Sequence, residues 1–193
     1  MSYRWSVIVG MSAAVIALVG CIPRPQLVRL APPVSTAGSV GQGATVGVAT
    51  FDVRSEPKLG IITDAHDNKV PVTVNRDAAA ALYQSVTQAL ARMGYKPKPL
   101  ADSDRVALVV ELRELSFNAL KRALDFEITL KVVMSANARN GVETYDREFT
   151  VNQRKLVGAP TTEAETTSMV NDAVGLALSD MLADTDLTSV LRR

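Results

Sequence analysis

The sequence predicts an α+β domain in two layers, a mostly antiparallel sheet with two helices packed on one face, in the order β-ββ-α-βββ-α. Three observations predict it. Residues 105–117, 126–134 and 144–153 alternate apolar and polar side chains, the period of a strand with one buried face. Residues 75–93, and those after Thr162, repeat apolar side chains at helical spacing. One helical stretch divides two groups of strands and the other follows the last, so helices on one face of a sheet is the economical arrangement.

Residues 1–20 read as an export signal. Arg4 supplies the positive start, and residues 7–19 run without a charge into small side chains. The run is shorter than the roughly 20 residues that span a bilayer. Leu18-Val19-Gly20-Cys21 resembles the bacterial lipobox. The resemblance implies a lipid on Cys21, cleavage between Gly20 and Cys21, and acylation of the new amino group. Ile22 stands where an Asp retains lipoproteins in the inner membrane, so outer-membrane sorting is implied. Cys21 is the only cysteine, which rules out an internal disulfide.

Residues 21–43 read as a flexible tether, with Pro23, Pro25, Pro32 and Pro33 followed by Ser35, Gly38, Ser39, Gly41 and Gly43. Such a segment reaches on the order of 70 Å extended and about 25–30 Å as a coil. Residues 44–193 form the single periplasmic domain. Its first strand is expected at residues 45–53. A hairpin follows, residues 59–63 and 70–74, turning on Ala65-His66-Asp67-Asn68. Pro71 suits an edge strand.

Asn75 is expected to cap the first helix and Gly94 to stop it, with Ala79, Leu82, Val86, Leu90 and Met93 on its apolar stripe. Tyr95 then packs back on the core. In residues 105–117 the apolar phase slips by one after Leu112, which predicts a bulge near Arg113-Glu114. Asn140-Gly141 marks the last hairpin. Thr162 and Glu165 make a capping box for a second helix carrying Met169, Val170, Ala173, Val174, Ala177, Met181 and Leu182. Asp186 is placed to cap a final turn with Leu187, Val190 and Leu191, and Arg192 and Arg193 suit its negative end.

Val72-Thr73-Val74-Asn75-Arg76-Asp77 leads into the first helix, Ala91-Arg92-Met93-Gly94-Tyr95 closes it, and Asp184-Thr185-Asp186-Leu187 stands near the end. Together with the lipobox these motifs carry a resemblance to the YajG family of bacterial lipoproteins. It implies an outer-membrane lipoprotein with no assigned biochemical activity. Asn75 stands where the family has Ser, and the tether is longer and richer in proline.

The charges exclude some classes. The chain has 21 Lys+Arg and 20 Asp+Glu, and loss of Arg4 with the signal leaves a formal balance of zero. A nucleic-acid binder would carry a basic stripe, so nucleic acid is not an expected partner. The single histidine, His66, lies at a hairpin tip, where a Ser-His-Asp or Cys-His engine would be poorly held. Asp64, His66 and Asp67 are a thin metal set in one turn, and no metal or cofactor is expected. Glu111, Arg113, Glu114, Glu127 and Lys131 read as cross-strand ion pairs on a wet sheet face rather than a paired-carboxylate site. Arg76 and Asp77 read as helix-start chemistry. Lys96, Lys98, Lys121 and Arg122 are candidates for a basic rim toward anionic glycans or lipid headgroups.

The function these features imply is that of a non-enzymatic envelope lipoprotein, held on the membrane through Cys21 and facing the periplasm. Its domain binds an envelope protein, with the strand edge at Val70, Val72 and Val74 as the docking surface. The alternative is an auxiliary lipoprotein of a lipid-transport system, which calls for an acyl-sized apolar groove between helices and sheet. An envelope hydrolase would have to depend on His66.

Overall fold

The computed structural model describes residues 24–36, 38–75 and 77–192. Cys21 and Arg76 lie outside the described residues. The elements run β1 (Gln26–Val28), β2 (Thr45–Asp52), β3 (Lys58–Thr63), β4 (Lys69–Val74), α1 (Ala78–Arg92), β5 (Lys96–Pro99), β6 (Val106–Lys121), β7 (Phe126–Asn140), β8 (Glu143–Val157), α2 (Glu163–Ala183) and α3 (Thr185–Arg192).

β6 organises the sheet. One edge pairs with β7 along its length, from Val106 opposite Asn140 to Lys121 opposite Phe126. The other edge is shared. β2 takes its first half, Ala107 to Leu112, and β3 meets it at Ala119. β2 carries β5 on its far side, β3 carries β4 and then β1, and β7 carries β8.

The sheet is therefore mixed, not mostly antiparallel. Four of the seven pairings among the described residues are parallel: β1 with β4, β2 with β5, β2 with β6, and β3 with β6. The antiparallel ladders are the three hairpins between sequence neighbours. Parallel pairs need long crossovers, which leave no turn signature beside the strands they join.

Local signals hold well. The β6 register shifts between Leu112 and Glu114, which switches the inward row from Leu108, Val110 and Leu112 to Leu115 and Phe117. α1 ends in a Schellman motif: Gly94 has φ +85, its N–H bonds Ala91 O, and Tyr95 N–H bonds Leu90 O. Its N-cap is Asp77, without a side-chain cap bond, rather than Asn75. The Thr162–Glu165 capping box forms in both directions. The last segment is a full third helix, so the layer holds three helices instead of two. Asp184 caps it in place of Asp186, accepting the N–H groups of Asp186 at 2.8 Å and Leu187 at 3.1 Å.

One core joins the layers. Leu82, Val86 and Leu90 of α1, Val170, Val174, Leu178 and Met181 of α2, and Leu187 and Leu191 of α3 meet one row from the strands. Among the described residues, no helix lies on the opposite sheet face.

The largest correction concerns the expected tether. Gln26–Val28 is a strand, and residues 29–35 lie in the groove between α1 and α2. Val28 and Leu30 are buried in the core. From α2, the Asn171 amide spans two backbone groups, accepting Ala31 N–H at 2.7 Å and donating to Arg29 O at 2.9 Å. Ser179 Oγ accepts Ser35 N–H. From α1, Ser85 donates to Pro32 O and Arg92 to Val34 O. Gly175 leaves room for Pro33: a Cβ there would sit 2.2 Å from Pro33 O.

Candidate functional site

Of the edge at Val70, Val72 and Val74, the part from Val72 to Val74 is not open, and Val70 lies beyond the end of β1. β1 pairs along it in parallel, Gln26 with Val72, Leu27 with Thr73 and Val28 with Val74, and both Val72 and Val74 are buried. A valine-rich strand with a proline looks like an edge in isolation. What covers it comes from a stretch whose composition resembles a spacer.

A different edge is open. β5 ends at Pro99, opposite Val48, and Leu100 N–H to Val48 O is the last bond on that side. Backbone groups of a strand point alternately to its two neighbours, so beyond Val48 those of Thr50 and Asp52 face the side that β5 has vacated. Thr50 Oγ1 donates to Ala79 O, which ties this edge to the first turn of α1. A groove of about 480 Å³ results, lined by Phe51, Ala79, Ala80, Tyr83, Pro99 and Leu100. Phe51 is half-exposed in it, and Val53, just past the end of β2, is half-exposed too. A smaller hollow of about 420 Å³ lies on the helix-free face over Ala107, Val109, Asn137 and Arg139. The sequence signals were Pro97 and Pro99, which confine β5 to an edge and stop it early, and Phe51, an aromatic on the outward phase of β2.

The charged residues singled out as chemistry are ion pairs on the helix-free face. Arg113 meets Glu111 at 3.1 Å, Ser135 also donates to Glu111, and Lys131 meets Glu114 at 2.7 Å. Glu127 is held by Arg122, whose Nε donates at 2.7 Å, and by Arg154 at 2.5 Å. The two guanidinium groups, Arg122 foremost, keep its carboxyl below the usual carboxylate range. Each carboxylate has its own cation, the opposite of a pair sharing a proton.

The His66 turn is structural. Asp64 accepts the side-chain amide of Asn68 and the N–H groups of His66 and Asn68, and these bonds lower its pKa. Among the described residues no group of three or more His, Cys, Asp or Glu side chains is placed to hold a metal ion. Burial and the neighbouring Asp184 carboxylate push the Tyr145 phenol up to about 12, so it stays protonated at neutral pH. Asp184 itself loses from burial but gains more from its N–H donors and Arg147, and lies below its ordinary value.

The basic rim does not assemble. Lys96 and Lys98 lie level with the start of β6, where Lys98 meets Asp104 at 2.5 Å. Lys121 ends β6, roughly 45 Å away along the strand. The groove between the helices, where an acyl chain would have to enter, is filled by residues 29–35.

The family model described as uncharacterized lipoprotein matches residues 32–192. The chain belongs to this family, the YajG lipoproteins. It is a lipoprotein of the cell envelope. No enzymatic activity is indicated by the family, and no curated protein matches the sequence. Among solved structures, a Xanthomonas campestris protein of the DUF330 family has a TM-score of 0.58 at 15% identity, over 84% of this chain and 96% of that one. That likeness is one of fold. A minor lipoprotein from Acinetobacter baumannii also matches, with a TM-score of 0.40 at 10% identity, over 82% of this chain and 93% of that one. Among the described residues no helix is long and apolar enough to cross a membrane.

Proposed function

We propose that this YajG lipoprotein is held by lipid on Cys21 in the outer membrane, faces the periplasm, and works without catalysis by docking an extended segment of an envelope protein on β2. The open edge beside α1 carries the proposal. β5 already shows how a strand lies on β2, and its end at Pro99 leaves the next positions of the same lane open. A peptide entering that lane gains main-chain bonds from Thr50 and Asp52, and the groove of Phe51, Ala80 and Tyr83 receives its side chains. Lysines and arginines dominate neither wall, so an apolar segment fits better than an acidic one.

Site-specific photo-crosslinking in the cell tests this, with a photoreactive residue at Phe51 or, as the control, at the exposed distal Val142. One discrete protein adduct is expected from position 51 and none of that mass from 142. Ala80→Arg fills the groove from an exposed position and is expected to abolish the adduct. The same adducts from both positions, or an adduct indifferent to Ala80→Arg, would overturn the docking site.

A further inference from the structure

The end of the molecule beside the start of β1 carries three exposed leucines. β1 runs parallel to β4 with Gln26 beside Val72, so the chain upstream of Gln26 heads toward the start of β4 at Lys69. Gln26 Nε2 donates to Thr161 O at 3.0 Å, just before α2 begins. The turn between β3 and β4 is at this same end, and its Asp67 pairs with Lys121 at 3.0 Å. Lys121 leads into the turn at residues 122–125 that joins β6 to β7.

The leucines are Leu120, Leu124 and Leu156, with the ion-paired Glu127 between Leu120 and Leu156. Leu120, Glu127 and Leu156 are cross-strand neighbours in one row on the helix-free face, and Leu124 projects from the turn beyond them. Leu124 is 96% exposed, Leu156 60% and Leu120 42%. Lys121, Arg122, Arg154 and Lys155 flank them, each exposed. An apolar tip ringed by long cationic side chains is the composition of a surface that settles at a lipid headgroup boundary.

We infer that this end, with Leu124 at its tip and Leu120 and Leu156 behind it, rests in the interface of the bilayer that holds the lipid on Cys21. The inference rests on the anchored reading. Its occupant follows from the chain itself: Cys21 precedes the first paired residue, Gln26, by five positions, a reach of at most about 17 Å. A tether that short keeps this end against the membrane. It leaves Val142 at the far end, beyond Val106 and Asn140, and the open edge of β2 partway along the molecule, where Thr50 to Asp52 lie beside Val110 to Leu112.

The lipidated protein offers a direct test, since a lipid bonded to the sulfur of its only cysteine leaves any introduced one as the sole free thiol. Leu124→Cys, Leu156→Cys and Val142→Cys, each labelled with a polarity-sensitive dye, would be placed in vesicles of phosphatidylethanolamine with a minority of phosphatidylglycerol. The Val142 control matches Leu124 in exposure, at 98%. Dyes at 124 and 156 are expected to shift blue, to be quenched by nitroxide-bearing lipids, and to resist aqueous iodide about threefold or more relative to 142. A lipidated, vesicle-bound protein whose dye at 124 behaves like that at 142 would overturn the contact alone. A mass spectrum showing no lipid on Cys21 would refute the anchor and take the contact with it.

Discussion

Gly175 decides between a loose spacer and a seated one, because the two arrangements give opposite signs. It lies inside α2, where replacing Gly by Ala ordinarily gains about 1 kcal/mol of helix propensity. If residues 29–35 were a solvated spacer, Gly175→Ala would be stabilising by that amount. In the structure the new Cβ meets Pro33 O at 2.2 Å, Pro33 C at 3.1 Å and Pro33 Cδ at 3.2 Å. These are atoms of a proline whose neighbours are pinned at Arg29, Ala31 and Ser35, so they cannot swing aside as a flexible side-chain tip would. Overpacking of this kind costs about 1–3 kcal/mol. Losing one of the Asn171 bonds as the segment shifts adds about 1 kcal/mol. Set against the propensity gain, the net expectation is a loss of about 2 kcal/mol, or roughly 4–8 °C in Tm for a domain of this size. The assay is thermal and urea unfolding of the Cys21→Ala protein, with timed trypsin cleavage after Arg29 as a local probe. Cleavage is expected to accelerate in Gly175→Ala, because Arg29 O is held by Asn171 in the native state. A variant at least as stable as its parent, with cleavage unchanged, would refute the seated segment.

Two further outcomes are expected. Asp184→Ala removes the cap of α3 and the partner of Arg147, with a loss of about 1–2 kcal/mol in urea unfolding. Asp184→Asn is expected to recover part of it, since an amide oxygen still caps, and equal loss in both variants would contradict the capping role. Glu127→Gln tests the pH dependence of the two-arginine clamp. The folded pKa of Glu127 is depressed, so its contribution is fully present above the unfolded value near 4.3 and is lost as pH falls through the lower folded value. The Tm gap between wild type and Glu127→Gln is therefore expected to be flat above about pH 5 and to close below it. A gap that persists at about pH 2 would show that the clamp acts through packing instead of charge.

Most of what the sequence determined by itself is local. The phase slip after Leu112 located the β6 bulge because one residue changes the face of every later side chain. Gly94 ended α1, Thr162 and Glu165 began α2, and Asn140-Gly141 turned β7 into β8, each through chemistry confined to a few neighbours. The ion pairs of Glu111, Glu114 and Glu127 followed from which strands alternate and which are adjacent. Leu18-Val19-Gly20-Cys21, likewise local, carries the lipobox resemblance on which the proposed anchor rests, and Cys21 lies outside the described residues. Even the seat of residues 29–35 left a trace: Asn171, Gly175 and Ser179 recur every fourth residue along α2.

The tertiary structure alone decided what each edge faces. Prolines at 32 and 33 argued for a spacer because they lack an N–H and break helices. Their carbonyls still accept hydrogen bonds, and α1 reaches Pro32 O and Val34 O through Ser85 and Arg92. Val70 to Val74 gave no sign of β1, and β2 none of where β5 would stop, since the partner of a strand edge can come from anywhere in the chain. Side-chain pattern sets the face a residue presents and the turn it allows. Backbone groups on an edge are the same for every sequence, so only the folded chain determines which edge is covered and which remains open.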